Sequence, residues 1–203
     1  MSNTRHEKAP PNRYFDKHFG RDAAKILPGE YYATGRGTLL VTVLGSCIAV
    51  CLRDPFNGVA GINHFMLPEG REERPDPLVG LPTRYGAFAM EALFNDMLKL
   101  GAERRHMEAK IFGGANVMQS LEGNHVGRRN VEFIRRYLHN ENIRIVAEDL
   151  LGNDPRKIYF FSDEGKVKVK RLRVLNNDTI LQRELEYRAH LLRDNIEGSV
   201  ELF

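Results

Sequence analysis

Two short apolar runs, residues 48–52 and 59–67, flank Arg53-Asp54-Pro55-Phe56-Asn57-Gly58, and no other pattern constrains this chain so strongly. Asp, Asn and Gly each favour a reversal of the backbone and Pro fixes one of its dihedrals, so the two runs read as the arms of a β-hairpin. Cys47 stands at the start of the first arm and His64 near the end of the second. With a four-residue loop over 54–57 the two residues lie directly opposite one another. With a loop over 55–58 they are diagonal neighbours on one face, and a loop of odd length would place them on opposite faces.

The remaining pattern alternates between strand and helix. Residues 38–43 form an unbroken β-branched and aliphatic run that Gly45 interrupts. Residues 83–100 carry apolar side chains at helical spacing and stop at Gly101, residues 110–112 read as a strand entering a Gly113-Gly114 turn, and residues 128–140 read as a helix with Val131, Ile134 and Leu138 inward. Strands follow at 143–147, 158–161 and 166–172. In the last of these Val167 and Val169 alternate with Lys166, Lys168 and Lys170, which gives one buried face and one cationic face, read as solvated rather than as a binding surface. A final helix spans 179–193, with Thr179 and Gln182 spaced as a capping box.

This interleaving predicts an α/β fold of layered mixed β-sheets with a central hairpin and flanking helices. It divides the chain into a loosely held N-terminal arm (1–20), one domain (21–175) and a C-terminal helix and tail (176–203). Residues 69–82, rich in Pro, Gly and charge, read as a surface loop bordering a site. The final segment, 198–203, reads either as a frayed end or as a docking peptide.

Thirty basic residues against 27 acidic ones leave a formal charge of +3, too mild for a nucleic-acid partner without a concentrated basic stripe. No stretch approaches the ~20 apolar residues of a membrane span, and the first residues lack the pattern of an export signal. The expectation is a cytoplasmic protein with no membrane insertion. Its two cysteines, Cys47 and Cys51, sit too close on one segment to staple distant parts of a fold, so both are read as free thiols. Cys-x-x-x-Cys with one nearby histidine is an incomplete zinc set, and Gly113-Gly114 is too short for a phosphate loop.

Cys47 follows Leu44-Gly45-Ser46, where a glycine permits a sharp bend and can leave amide hydrogens free to converge on one spot, as an oxyanion requires. A thiol beside an imidazole is a route to a thiolate nucleophile at neutral pH. On spacing alone the opposing reading is favoured, a small buried thiol next to a core histidine satisfied by backbone groups. Cys51, two side chains further along the same face, is read as core.

Wider sequence context favours the chemical reading. The runs Lys25-Ile26-Leu27-Pro28-Gly29-Glu30-Tyr31, Leu44-Gly45-Ser46-Cys47, Gly61-Ile62-Asn63-His64-Phe65-Met66-Leu67-Pro68, Lys110-Ile111-Phe112-Gly113-Gly114-Ala115, Gly127-Arg128-Arg129-Asn130 and Ala147-Glu148-Asp149 together resemble, in order, the chemoreceptor glutamine deamidase family, CheD. The resemblance implies hydrolysis of particular glutamine side chains on methyl-accepting chemotaxis receptors through a cysteine thioester, without a metal or organic cofactor. It assigns catalysis to Cys47 and His64, with Thr42 as a third member. An odd offset sets Thr42 and Cys47 on opposite faces of an uninterrupted strand, so a bulge or bend near Gly45 would have to bring them together. Otherwise Thr42 merely packs while a backbone carbonyl orients His64.

Gly45, Ser46, Phe112, Gly113 and Gly114 are the expected substrate-binding residues, the last three being equally readable as an ordinary tight turn. The implied partners are receptor cytoplasmic domains and a CheC-type phosphatase. Two other function classes fit the same residues, a non-catalytic chemotaxis binding module and a cysteine amidase acting on a different protein.

Overall fold

In a computed structural model the described residues are 11–67, 81–117, 126–172, 182–187 and 189. The hairpin is present as β5 (Ile48–Asp54) and β6 (Val59–Phe65), counting strands from the N-terminus. Asp54 pairs with Val59, so the loop is 55–58 and the register sets Ala49, not Cys47, opposite His64. This is the register of the second of the two even-loop alternatives, with Cys47 one residue before β5 begins.

Asp54 builds the turn. One carboxylate oxygen accepts the N–H groups of Phe56 (2.9 Å) and Asn57 (3.0 Å), and the other accepts Asn57 Nδ2 (2.8 Å) and the Glu103 N–H (2.8 Å). Burial works against ionisation of this carboxyl, yet the four bonds hold its pKa below the ordinary value. Gly58 closes the loop at φ +67°, the left-handed region open to a residue without Cβ.

Two five-stranded sheets contain the hairpin and its partner layer. One has the order β3 (Tyr31–Thr34), β6, β5, β7 (Glu108–Gly113) and β8 (Arg144–Leu150), with β7 and β8 parallel. The other has the order β1 (Asn12–Asp16), β2 (Arg21–Lys25), β4 (Leu39–Leu44), β9 (Arg156–Phe161) and β10 (Lys166–Arg171), with β2 and β4 parallel. Both sheets are mixed, and the predicted layered α/β class holds.

Alternation along β5 explains the layering. Ile48, Val50 and Leu52 face Met90, Leu93, Phe94 and Met97 of α1 (Leu81–Lys99) and Val131, Ile134 and Leu138 of α2 (Val126–Asn140). Ala49 and Cys51 face the other way, with Ala60 and Ile62 of β6, onto Leu40, Leu44, Ile158 and Phe160 of the second sheet. A strand covered on both faces reads as a continuous apolar run, which is why residues 48–52 show no polar alternation. Each large aliphatic side chain buried here contributes about 1.5–3 kcal/mol.

One expectation changes, at the N-terminal edge. Residues 12–16, read in the sequence as part of a loose arm, form β1 and pair antiparallel with β2, the reversal being made by Asp16, whose carboxylate accepts the N–H groups of His18 and Phe19. The lysines of β10 stand on an edge strand, and Lys168 Nζ lies 5.1 Å from the Phe19 ring centre and 5.6 Å from that of Phe161. Lys166, Lys168 and Lys170 are exposed while Val167 and Val169 pack inward, so the expected cationic, solvated face holds, with Lys168 lying over the two rings.

Residues 182–187 are helical, in the stretch read as the last helix. Thr179 of the expected capping box, most of the 69–82 loop and the 198–203 tail fall outside the described residues. No described helix is long and apolar enough to cross a membrane.

Replacing Asp54 by Ala removes the acceptor of three backbone N–H groups at once. Unfolding in urea should show a loss of about 2–3 kcal/mol for Asp54→Ala, against no more than about 0.5 kcal/mol for a substitution at exposed Phe56.

Candidate active site

Between β4 and β5 the chain leaves one sheet at Leu44 and joins the other at Ile48, so Gly45, Ser46 and Cys47 bridge the two layers. Their carbonyls are all held from behind. The Gly45 oxygen accepts the Ala115 N–H (2.8 Å), the Ser46 oxygen accepts Asn130 Nδ2 (2.9 Å), and the Cys47 oxygen accepts the Gly114 N–H (2.8 Å). This approach depends on glycine. Gly113 has φ +117°, and a Cβ there would come within 2.0 Å of the Cys47 carbonyl oxygen. A Cβ at Gly127 would meet the Gly114 oxygen at 2.5 Å.

With the carbonyls turned away, the three N–H groups of the bridge converge on one point. That point is occupied by a carboxylate oxygen of Glu184, 3.0 Å from the Gly45 nitrogen, 2.7 Å from Ser46 and 3.4 Å from Cys47. The Ser46 hydroxyl donates to the other oxygen (2.7 Å). Glu184 is buried, which raises its pKa, and the donors around it offset only part of that rise. Clustered backbone N–H groups of this kind form an anion-binding nest.

Asn130 joins the two arms of the site. Its side chain donates to Ser46 as above and accepts the Leu67 N–H at 2.9 Å, so one buried amide holds both the turn before Cys47 and the segment just past His64. Backbone bonds fix His64 further, its N–H donating to the Glu30 carbonyl (2.9 Å) and its carbonyl accepting the Gly29 N–H (2.7 Å).

The His64 ring faces the second sheet and meets Thr42 of β4. The Thr42 hydroxyl lies 2.7 Å from the Ile26 carbonyl and 2.8 Å from His64 Nδ1. A carbonyl can only accept, so the hydroxyl proton goes to Ile26 and the hydroxyl oxygen must accept a proton from Nδ1. This assigns the Nδ1–H tautomer. Nε2 is left with its lone pair, buried and without a hydrogen-bond partner among the described residues. Burial lowers the ring's pKa from 6.5 to about 4, so it is neutral at pH 7.

Cys47 is fully buried. Burial, followed by the negative charge of Glu184, pushes its thiol well above the ordinary value. The thiol and imidazole are not hydrogen-bonded to each other in this arrangement. Cys51 is also buried and pushed up by burial, on the inter-sheet face as expected, where it belongs to the core. Among the described residues no group of three or more His, Cys, Asp or Glu is placed to hold a metal ion.

The structure therefore joins Thr42 to His64 by a hydrogen bond and, through Asn130, ties the Gly45-Ser46-Cys47 bridge to the segment just past His64. The odd offset between Thr42 and Cys47 presents no obstacle, because β4 ends at Leu44 and residues 45–47 form a bend, as the sequence required near Gly45. Phe112 is 4% exposed and packs in the same inter-sheet cluster as Cys47, while Gly113 and Gly114 lie behind the bridge against its carbonyls. Sequence reasoning missed two residues. Asn130 stands in a run quoted for the family resemblance, whereas Glu184 sits in Arg183-Glu184-Leu185-Glu186, where nothing separates it from a solvated helix charge.

A family model described as CheD chemotactic sensory transduction matches residues 66–171. A protein of Janthinobacterium sp. (strain Marseille) named probable chemoreceptor glutamine deamidase CheD is 53% identical over 203 residues, covering 100% of both chains. One of the same name from Laribacter hongkongensis is 52% identical, covering 96% of this chain and 94% of that one. Among solved structures, the Bacillus licheniformis hypothetical protein YfiH is 18% identical with a TM-score of 0.39, covering 61% of this chain and 51% of that one, too remote to bear on the site. By the family model and by full-length relatives sharing half its residues, this chain belongs to the CheD family.

Proposed function

We propose that the chain is a cytoplasmic enzyme that hydrolyses glutamine side chains on chemoreceptor cytoplasmic domains to glutamate and ammonia, with Cys47 as nucleophile and His64 as base. The observation that carries this reading is the Thr42–His64 hydrogen bond, which fixes a neutral imidazole whose Nε2 has no hydrogen-bond partner among the described residues, in a site that also gathers the N–H groups of Gly45, Ser46 and Cys47 on one point. The names of the relatives supply the substrate.

In the first step the Cys47 thiol proton passes to His64 Nε2 and Sγ attacks the carboxamide carbon. The carbonyl oxygen takes up negative charge in the nest formed by the Gly45, Ser46 and Cys47 N–H groups. His64 then returns the proton to the departing amine, ammonia leaves, and a thioester remains. Water delivers a proton to Nε2 as it attacks the thioester, and collapse of the second oxyanion releases glutamate and the thiol. Thr42 takes no proton in this sequence; it keeps the ring in the Nδ1–H tautomer, and Ile26 keeps Thr42 oriented.

Gly113 and Gly114 serve substrate indirectly, by letting the chain at the end of β7 close on the Cys47 carbonyl and hold the bridge in place. A CheC-type phosphatase, expected from the resemblance, would be a second partner competing with receptor. The reading as a binding module without turnover has no comparable support, since docking alone requires neither a fixed tautomer nor a nest of N–H groups.

With purified receptor cytoplasmic domain, Cys47→Ala and His64→Ala should each abolish ammonia release and the ~1 Da glutamine-to-glutamate mass shift while remaining folded. Thr42→Val should lower kcat about 100-fold and change the pH profile, as loss of a ring-orienting group would. Full activity in the Cys47 or His64 variant would sink the assignment.

Stability should report the same histidine. Above its unfolded pKa of 6.5 the ring is neutral in both states and no stability is lost. As pH falls from 6.5 towards the folded value of about 4, the unfolded chain binds a proton that the folded chain refuses, and stability declines. Between pH 7 and pH 5 the native chain should lose about 2 kcal/mol more than His64→Gln in denaturant unfolding. Identical pH dependence in the two proteins would contradict a buried neutral ring.

A further inference from the structure

The most unusual group in the molecule is Glu184, a buried carboxylate brought from a distant helix into the place where the reaction's oxyanion would form. Its carboxylate is the functional group of a glutamate product, and it uses the very donors that a substrate carbonyl would need. One helical turn on, at the spacing that puts side chains on one helix face, Tyr187 packs in the cluster that contains Cys47. Its hydroxyl meets that of Tyr85, and its ring is so close to Gly29 that a Cβ there would lie 3.0 Å from it. Gln182, Arg183, Leu185 and Glu186 point outward. The segment is thus seated in a groove bounded by Gly29, Tyr85 and the Gly45-Ser46-Cys47 bridge, with Glu184 and Tyr187 as its two inward contacts.

An ordinary structural carboxylate would not need this position. The bridge is already held by three hydrogen bonds to its carbonyls, from Ala115, Asn130 and Gly114, none of which involves the helix. The helix contributes only on the side from which substrate must come. With it in place Cys47 is 0% and His64 2% exposed, so no side chain of another protein reaches either.

We propose that this groove is the docking surface for the helical segment of a protein substrate that carries the reactive glutamine, and that the chain's own 182–187 helix holds it as an intramolecular competitor, with Glu184 in the place of the product carboxylate. The inference rests on the deamidase reading given above and adds to it a resting state in which the enzyme is occupied by a copy of its own product group. Turnover then requires substrate to displace the helix, and the apparent affinity for substrate is reduced by the fraction of chains in the closed state.

Two readouts separate this inference from the function on which it rests. The first is alkylation of Cys47 by iodoacetamide, followed by peptide mass spectrometry, which needs no substrate. In the full-length chain Glu184→Ala and Tyr187→Ala should each raise the alkylation rate of Cys47 about tenfold or more, as opening a site closed in at least nine chains of ten would, while Cys51 in the core stays unmodified. Tyr187→Ala loosens the helix without touching the N–H nest, so it remains informative if Glu184→Ala disturbs the bridge, and thermal unfolding of both variants checks that the fold is retained.

The second readout is ammonia release from a receptor cytoplasmic domain, where both variants should show a lower KM, or higher activity at subsaturating substrate, than the native chain. Alkylation rates equal to the native rate in both folded variants would overturn the gate. Faster alkylation with activity lost in both variants would overturn competition and make the helix part of the working site. Faster alkylation with no ammonia release from any form, the native chain included, would leave the gate standing and remove the deamidase reading instead.

Discussion

Everything at the site depends on the bridge of Gly45, Ser46 and Cys47 being held by its carbonyls. A peptide unit has two polar ends, and fixing where one points fixes the other. Ala115 and Asn130 take the Gly45 and Ser46 oxygens on one side, so the Ser46 and Cys47 N–H groups of the same two peptide units point to the opposite side, where the Gly45 N–H joins them. The cost of that arrangement is visible in the surrounding glycines: β7 approaches the bridge so closely that Gly113 has no room for a Cβ, and α2 approaches Gly114 so closely that Gly127 has none. The bridge is also where the chain changes sheet, and the requirement for a carbonyl-tied turn and the requirement for a crossover are met by the same three residues.

The second dependence is on the inter-sheet face. Among the described residues no charged group is hydrogen-bonded to the His64 ring, and its tautomer follows instead from a chain of donors and acceptors that spans both layers: Nδ1–H to the Thr42 hydroxyl, and that hydroxyl to the Ile26 carbonyl. Thr42 lies on β4 and His64 on β6, so the bond exists only because the sandwich is closed. Packing of Ala49, Ala60 and Ile62 against Leu40, Ile158 and Phe160 is accordingly a condition for the chemistry as well as for stability. The same closure keeps the ring dry and neutral at pH 7.

Local patterns in the chain reveal the elements that local physics decides. The hairpin loop, the two long helices and the strands at 38–43, 110–112 and 158–161 are legible because turn residues and apolar periodicity act over a few positions. The pairing of Cys47 with His64 on one hairpin face is legible for the same reason, with the choice between opposite and diagonal left to the carboxylate of Asp54, which sets the loop at 55–58. The bend near Gly45 that the odd Thr42–Cys47 offset calls for is legible, whereas the change of sheet made there is a property of the whole fold rather than of five residues. β1 is missed because its side chains are mostly exposed and show no apolar alternation. Glu184 is illegible for a deeper reason: a glutamate between an arginine and a leucine on a charged helix carries no local mark of burial, and only the tertiary structure distinguishes it from Glu186 two residues on.

The central claim is that Cys47 forms a covalent acyl intermediate beside the N–H nest, and a partition experiment tests it most directly. Hydroxylamine added to the full-length chain and a receptor cytoplasmic domain competes with water for a thioester but not for an unactivated carboxamide. The account predicts that glutamine sites are converted in part to the γ-hydroxamate, seen by peptide mass spectrometry, with the glutamate yield falling to match and with both products absent in Cys47→Ala. Glutamate as the sole product at every hydroxylamine concentration, with ammonia release undiminished, would contradict it.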